Sequence, residues 1–259
     1  MEKRVISDFI KETCSNSPTP GGGSVAALLA SLSMSLAAMS ANLTINKKGY
    51  EDVQDEIKRL ANLFEFKANL YLDYMNQDIS AFNEVMASYK LKKDTLEEKE
   101  YRSKVVQEKL YNAMQVPLSL ALDIYAILDD VRWCYYNSNK NIQSDALMAM
   151  IMARGTILSC VCNVGMNLKS MKDNIDKEPI LNKCIEMKNK AFEYERELIN
   201  DWNHSYVDLE DVRANGFDLL GVEDLTGGTC YISKGIGYAA GGLTSVTQVL
   251  SELADIFLN

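Results

Sequence analysis

The chain has 259 residues, 47% of them hydrophobic, a formal net charge of −9 and one histidine. The acidity argues against a nucleic-acid or anionic-membrane surface. The lone histidine, His204, excludes a histidine-ligated zinc site and a histidine-based nucleophile in the core, so acid/base chemistry falls to carboxylates, Lys, Tyr or Cys.

No apolar signal region follows Met1-Glu2-Lys3-Arg4, which predicts a cytoplasmic protein. Residues 3–13 read as a short helix. Pro18 and Pro20 then give an extended approach to Gly21-Gly22-Gly23, a turn stripped of side chains, and Ser24 reads as an N-cap. The helix over 24–44 carries no charge. It alone reads as long enough to span a bilayer, but five serines, Asn42 and Thr44 make it a buried helix of a soluble protein. Lys47-Lys48-Gly49 ends it. No glycine or proline occurs between Gly49 and Pro117, so long helices are expected: about Tyr50 to Leu91, then, capped by Asp94 or Thr95, on to about Asp130 with Pro117 as a kink or break. Asn137 to Asn141 is a polar loop, Ser144 a good N-cap for a helix to about Met171, and Pro179 starts another to about Asn203. Six cysteines are scattered, and Cys160 and Cys162, in an apolar run, read as reduced core thiols. No β-alternation appears through residue 203. The fold class is therefore all-α, an antiparallel helical bundle with long helices.

Asp78 is the sharpest single residue. It falls on the stripe Ile57, Leu60, Phe64, Tyr71, Met75, Asp78, Phe82, Val85, Tyr89, where every other member is apolar or aromatic. A carboxylate buried there is costly unless paired or hydrogen-bonded, and it is suited to proton transfer. The alternative is a seam shifted to Ile79 with Asp78 in solvent. The bare first turn at Gly21–Ser24 offers backbone N–H groups to an anion or a polar heterocycle, or is simply a tight turn into a buried helix. Lys47 complements the helix dipole or steers an acidic ligand, and Asp145 stabilises its own helix start or meets a ligand. Asn163 and Asn167 share a helix face, where their amides read a heterocycle edge or bond across an interface. Arg154 is the one charge between Asp145 and Lys169 and requires an anion: Asp78, another carboxylate or a ligand.

Four stretches in order, SPTPGGGSVAALLASLSMSLAAMSANLTINKKGYE (17–51), DISAFNEVMASYKL (78–91), EEKEYRSKVVQEKLYNAMQVPLSLA (97–121) and SDALMAMIMARGTILSCVCNVGMNLKSMKD (144–173), resemble the formiminotetrahydrofolate cyclodeaminase/methenyltetrahydrofolate cyclohydrolase family. That family includes the C-terminal half of the bifunctional formimidoyltransferase-cyclodeaminase. The turn after the Asp78 helix reads Leu91-Lys92-Lys93, where family members usually carry a proline. The resemblance implies Asp78 as catalytic acid/base, a tetrahydrofolate derivative as substrate positioned by Gly21, Gly22, Gly23 and Ser24, and a substrate role for Asp145; Lys47, Asn163 and Asn167 join them as substrate-binding candidates on their charge and shared helix face. No metal or redox cofactor is required, and a homodimer is expected, also because the 24–44 helix has more apolar surface than one small bundle readily hides.

Residues 1–205 read as the cyclodeaminase-like domain and 206–259 as a tail. The tail holds eight of the fourteen glycines and ends in an amphipathic helix over 244–258. Phe217, Val222 and Leu225 precede Gly227-Gly228 at the spacing of a double-glycine leader motif, or the stretch is a glycine-rich loop with a docking helix. Three functions stay open: deaminating cyclisation of 5-formimidoyltetrahydrofolate, methenyltetrahydrofolate cyclohydrolysis, and a non-catalytic carrier for a processed C-terminal peptide.

Overall fold

The computed structural model describes residues 5–172 and 176–206, and every regular element among them is helical. The tail calls, namely the glycine-rich stretch, its terminal helix, the double-glycine motif and the boundary at 205/206, lie outside the described residues. In chain order the helices are α1 (Ile6–Thr13), α2 (Gly22–Asn42), α3 (Gln54–Tyr89), α4 (Leu96–Ala126), α5 (Leu128–Asn137), α6 (Gln143–Ser170) and α7 (Glu178–Tyr206). Residues 1–195 form one compact unit; the last turns of α7, from Arg196, belong to a second.

Four helices make the bundle, with α2 against α3 and α6, and α4 on the far side against the same two. Cross-bonds fix their directions. Ser24 meets Asp78 while Ser31 Oγ donates to Ala68 O at 2.8 Å, so α2 and α3 are antiparallel. Ser33 Oγ donates to Ala149 O at 2.7 Å, and Asn139 N–H donates to Thr44 Oγ1 at 2.8 Å, so α2 and α6 are antiparallel too. Lys109 reaches Glu84 and Lys67 reaches Asp123, which sets α4 against α3 in the same sense.

Small residues make α2 the centre. Ala26, Ala27, Ala30, Ala37 and Ala41 are at most 1% exposed, and Ser24, Ser33 and Ser40 are fully buried. Short side chains let backbones approach, and Gly155 of α6 completes the contact: a Cβ there would stand 3.4 Å from Leu29. The serine hydroxyls that reach a carbonyl on a neighbouring helix convert a burial cost into roughly 1 kcal/mol of support each. Ser40 Oγ finds no partner among the described residues and carries that cost.

Helix starts differ from expectation at two serines. α2 begins at Gly22 with Gly21 as N-cap in extended backbone, which puts Ser24 inside the first turn. α6 begins at Gln143 behind the 3-10 turn Lys140–Ile142, so Ser144 is not its cap. In both places the backbone turns helical before the serine is reached. Thr95 does cap α4, in a capping box with Glu98. α4 then runs through the buried Pro117 and stops only at Ala126, where α5 takes over. α6 as well as α2 is long and apolar enough to cross a membrane, which the sequence reading assigned to α2 alone; 61% of the α2 window is buried in the bundle. Cys160 is buried as expected but Cys162 is exposed, because two steps around a helix reverse the face.

Candidate functional site

The site forms where α2 begins. Gly21 holds an extended conformation without a side-chain cap, so the first-turn N–H groups of α2 are not consumed by a capping oxygen. Asp78 arrives from α3 and lies on this turn. A Cβ built on Gly23 would stand 2.1 Å from Asp78 Oδ1 and 2.6 Å from its Cγ. Glycine at position 23 is thus a condition for the carboxylate's place. Ser24 Oγ donates to Asp78 Oδ2 at 2.7 Å. Its other neighbour, Met75 O, lies at 3.5 Å, so the carboxylate holds the hydroxyl. The positive end of the α2 dipole adds a favourable field for an anion at this spot.

Asp78 is half-buried, not fully buried as the stripe implied. Ile79 and Phe82 beside it are also half-buried, and the stripe is buried again at Val85. Arg154 does not reach Asp78: its Nε donates to Glu195 Oε2 of α7 at 2.9 Å. The carboxylate at the site is therefore held by a hydroxyl and a helix start, and keeps lone pairs for a ligand.

Asn163 of α6 closes the other side. Its amide lies 3.7–3.8 Å from where a Cβ on Gly22 would be. Its Nδ2 donates to Ser159 O at 2.9 Å, and Asn167 Nδ2 donates to Asn163 O at 3.1 Å. Both amides bond back to their own helix, so the bond across an interface is not the arrangement seen. Gly21, Gly22, Gly23, Ser24, Asp78 and Asn163 are brought together, with Asn167 one turn further along α6.

Lys47 and Asp145 are not brought there. Lys47 follows the C-terminal end of α2, and Asp145 stands in the first turn of α6, at the same end of the bundle. The 21 residues of α2 separate them from Asp78 by about 30 Å within one chain.

Cys160, read from the sequence as a core thiol, lies one α6 turn from Asn163. Burial, and behind it the Asp78 charge, push its thiol up to about 12, so it stays protonated beside the carboxylate. Tyr74 is pushed upward by burial and by the charges of Asp123 and Cys160.

The structure thus sets one carboxylate against a helix start and an amide in an all-helical bundle, an arrangement able to bind a polar ligand and to move a proton. The chain belongs to the formiminotransferase-cyclodeaminase family, whose model matches residues 5–186. It is 34% identical over 168 residues to a methenyltetrahydrofolate cyclohydrolase of Methylorubrum extorquens, covering 65% of this chain and 81% of that one. It is 31% identical over 170 residues to the formimidoyltransferase-cyclodeaminase of Mus musculus, covering 66% of this chain but only 31% of the mouse protein. The crystal structure of formiminotetrahydrofolate cyclodeaminase from Thermotoga maritima superposes with a TM-score of 0.64 at 27% identity, over 78% of this chain and 96% of that one. These relatives are enzymes, and so is the class in which this chain falls.

Proposed function

We propose that the protein catalyses deaminating cyclisation of 5-formimidoyltetrahydrofolate, and the observation that carries this is the Asp78 carboxylate seated on Gly23 under the Ser24 hydroxyl. In this reaction N10 attacks the formimidoyl carbon and forms a C–N bond. N10 loses its proton, the amidine nitrogen gains one, and the bond to that nitrogen breaks to release ammonia, leaving 5,10-methenyltetrahydrofolate. Asp78 takes the first proton and delivers the second. The helix start and the Asn163 amide hold the pterin so that N10 and the formimidoyl carbon are within reach, and such positioning supplies much of the rate. The chemistry calls for no metal or redox cofactor.

A second reading within the family is favoured by the Methylorubrum relative. As a cyclohydrolase, the same carboxylate would take a proton from water attacking the methenyl carbon. Purified protein offered each folate separately decides between them. Ammonia release from the formimidoyl substrate is the expected result; hydrolysis of the methenyl substrate alone would contradict it.

A homodimer belongs to this proposal. Val25, Leu32, Met39 and Leu43 form an outward stripe on α2, between 39% and 52% exposed, with no charge along the helix. A two-fold axis perpendicular to α2 pairs this stripe on itself antiparallel. Setting Val25 against Leu43 of the partner subunit puts Lys47 of the partner subunit opposite Gly21. That pairing brings the C-terminal end of α2, remote within one chain, to the reacting end of another. Leu32→Glu should then give a monomer in sedimentation that has lost turnover; a fully active monomer would remove the partner from the site.

A further inference from the structure

Arg154, Leu158, Lys188, Asn189 and Phe192 line a cavity of about 280 Å³ between α6 and α7. It is separate from the Asp78 site. Arg154 and Asn163 both stand on α6, about two and a half turns apart, so they leave the helix on opposite faces. The family model matches residues 5–186, and Lys188, Asn189 and Phe192 lie beyond it.

The lining combines apolar surface with donors. Leu158, exposed on α6, and Phe192 of α7 supply the apolar part. Arg154, Lys188 and Asn189 supply N–H groups, and no carboxylate lines the cavity. Arg154 is held in place. Its Nε lies 2.9 Å from Oε2 of the buried Glu195, and its guanidinium lies over the Phe192 ring, 5.5 Å from the centroid. A guanidinium carries five N–H donors and a carboxylate engages two of them at most, so donors remain for a second acid. The side chains of Lys188 and Asn189 make no hydrogen bond or ion pair among the described residues. Arg154 therefore finds one anion inside the chain, and the cavity in front of it has cationic and amide donors without an acceptor.

We infer that this cavity binds a small amphipathic carboxylic acid, a single ring or short branched chain that ends in one carboxylate. The hydrocarbon packs on Leu158 and Phe192, and the carboxylate is taken by Arg154, Lys188 and Asn189. A concave site with apolar walls and a few convergent polar groups is the usual form of a small-ligand site, and this volume suits a ligand of modest size. An inorganic anion leaves the apolar walls unused. A neutral ligand leaves Lys188 without a counter-charge. The inference stands apart from the folate reading, because none of these residues touches the glycine turn or Asp78.

The test titrates 3-phenylpropionate and 4-methylpentanoate calorimetrically into the full chain. At least one of them should bind saturably. Acetate, which lacks the body, and 3-phenylpropanol, which lacks the charge, should each bind about tenfold more weakly or worse. The double variant Lys188→Gln/Asn189→Leu should weaken the acid about tenfold, and added salt should weaken it in wild type. Leu158→Glu, which sets a like charge in the cavity, should abolish binding. Asp78→Asn should bind the acid as wild type does. The proposal is overturned if neither acid binds saturably, if acetate binds as tightly as the acids (an adventitious ion only), or if both cavity variants bind as wild type does. Loss of binding in Asp78→Asn with the cavity variants unaffected puts the acid at the glycine turn and overturns it as well.

Discussion

The two ends of α2 are built from similar material and do opposite things. At the N-terminal end the backbone N–H groups face a glycine turn, and the one hydroxyl within reach, Ser24, is spent on holding Asp78. At the C-terminal end the polar groups of the turn bond one another. Gln54 donates to Thr44 O at 3.1 Å and to Tyr50 O at 2.9 Å, and accepts from the Asn46 N–H at 2.7 Å. Asn139 bonds Thr44, and the chain turns through positive φ at Asn46 (57°) and Gly49 (89°). The first end leaves hydrogen-bonding capacity for a ligand. The second uses its capacity to lock a turn.

The largest effect that breaks this contrast comes from Gly23→Ala. Its methyl would occupy the place of the Asp78 carboxylate, so that side chain must swing off the helix start. Activity should fall by about 10²–10⁴, as for loss of the acid/base itself. Stability should move by no more than about 1–2 kcal/mol, since a short side chain yields and alanine favours the helix. Gly22→Ala meets only ordinary contact with Asn163 and should leave the melting temperature equal or slightly higher. Paired assays and melts of the two variants check this.

Ser24→Ala removes the hydroxyl that orients Asp78 without removing the carboxylate. A hydrogen bond to a charged group contributes roughly 1.5–3 kcal/mol, so kcat should fall about tenfold or somewhat more, with binding of the folate largely kept. Gln54→Ala sharpens the comparison from the other side. It strips three bonds from the locked end and should lower stability by about 1–3 kcal/mol in denaturant unfolding, with kcat per folded protein preserved.

The smallest effect lies away from both ends. Burial raises the Glu195 carboxyl above its ordinary value, with Arg154 opposing. A carboxyl raised on folding contributes stability below its unfolded value near 4.5 and loses it as pH rises through the folded value. Arg154→Met removes the opposing cation and raises it further. The variant should be close to wild type at pH 4 and about 1 kcal/mol less stable at pH 7, after allowance for the part-exposed guanidinium. Melts at the two pH values read this directly.

Much of the bundle was open to sequence reasoning because its signals are local. The absence of glycine and proline from 50–116 forces long helices, and Thr95 with Glu98 marks a start. The pairing of Asp78 with the glycine turn came from resemblance, since no local signal links residues 54 positions apart. Ser24 was read as a cap because serine usually is one; the helix instead began two residues earlier on glycine, freeing the hydroxyl for a partner on another helix. Arg154 visibly needed an anion, but which one depended on α7 packing beside α6. Lys47 is a ligand candidate by its charge and by the resemblance, and a straight helix of 21 residues carries it to the other end.

The central claim is that the Asp78 carboxylate moves the proton. Asp78→Asn keeps the shape and the Ser24 contact but cannot shuttle a proton, so one steady-state measurement on 5-formimidoyltetrahydrofolate tests it. The account predicts kcat lower by about 10²–10⁴, KM within a few-fold of wild type, and a protein that stays folded with a melting temperature at or slightly below wild type, since the Ser24 hydroxyl then bonds a neutral amide. A variant that retains wild-type kcat, or one whose loss is explained by unfolding, would contradict it.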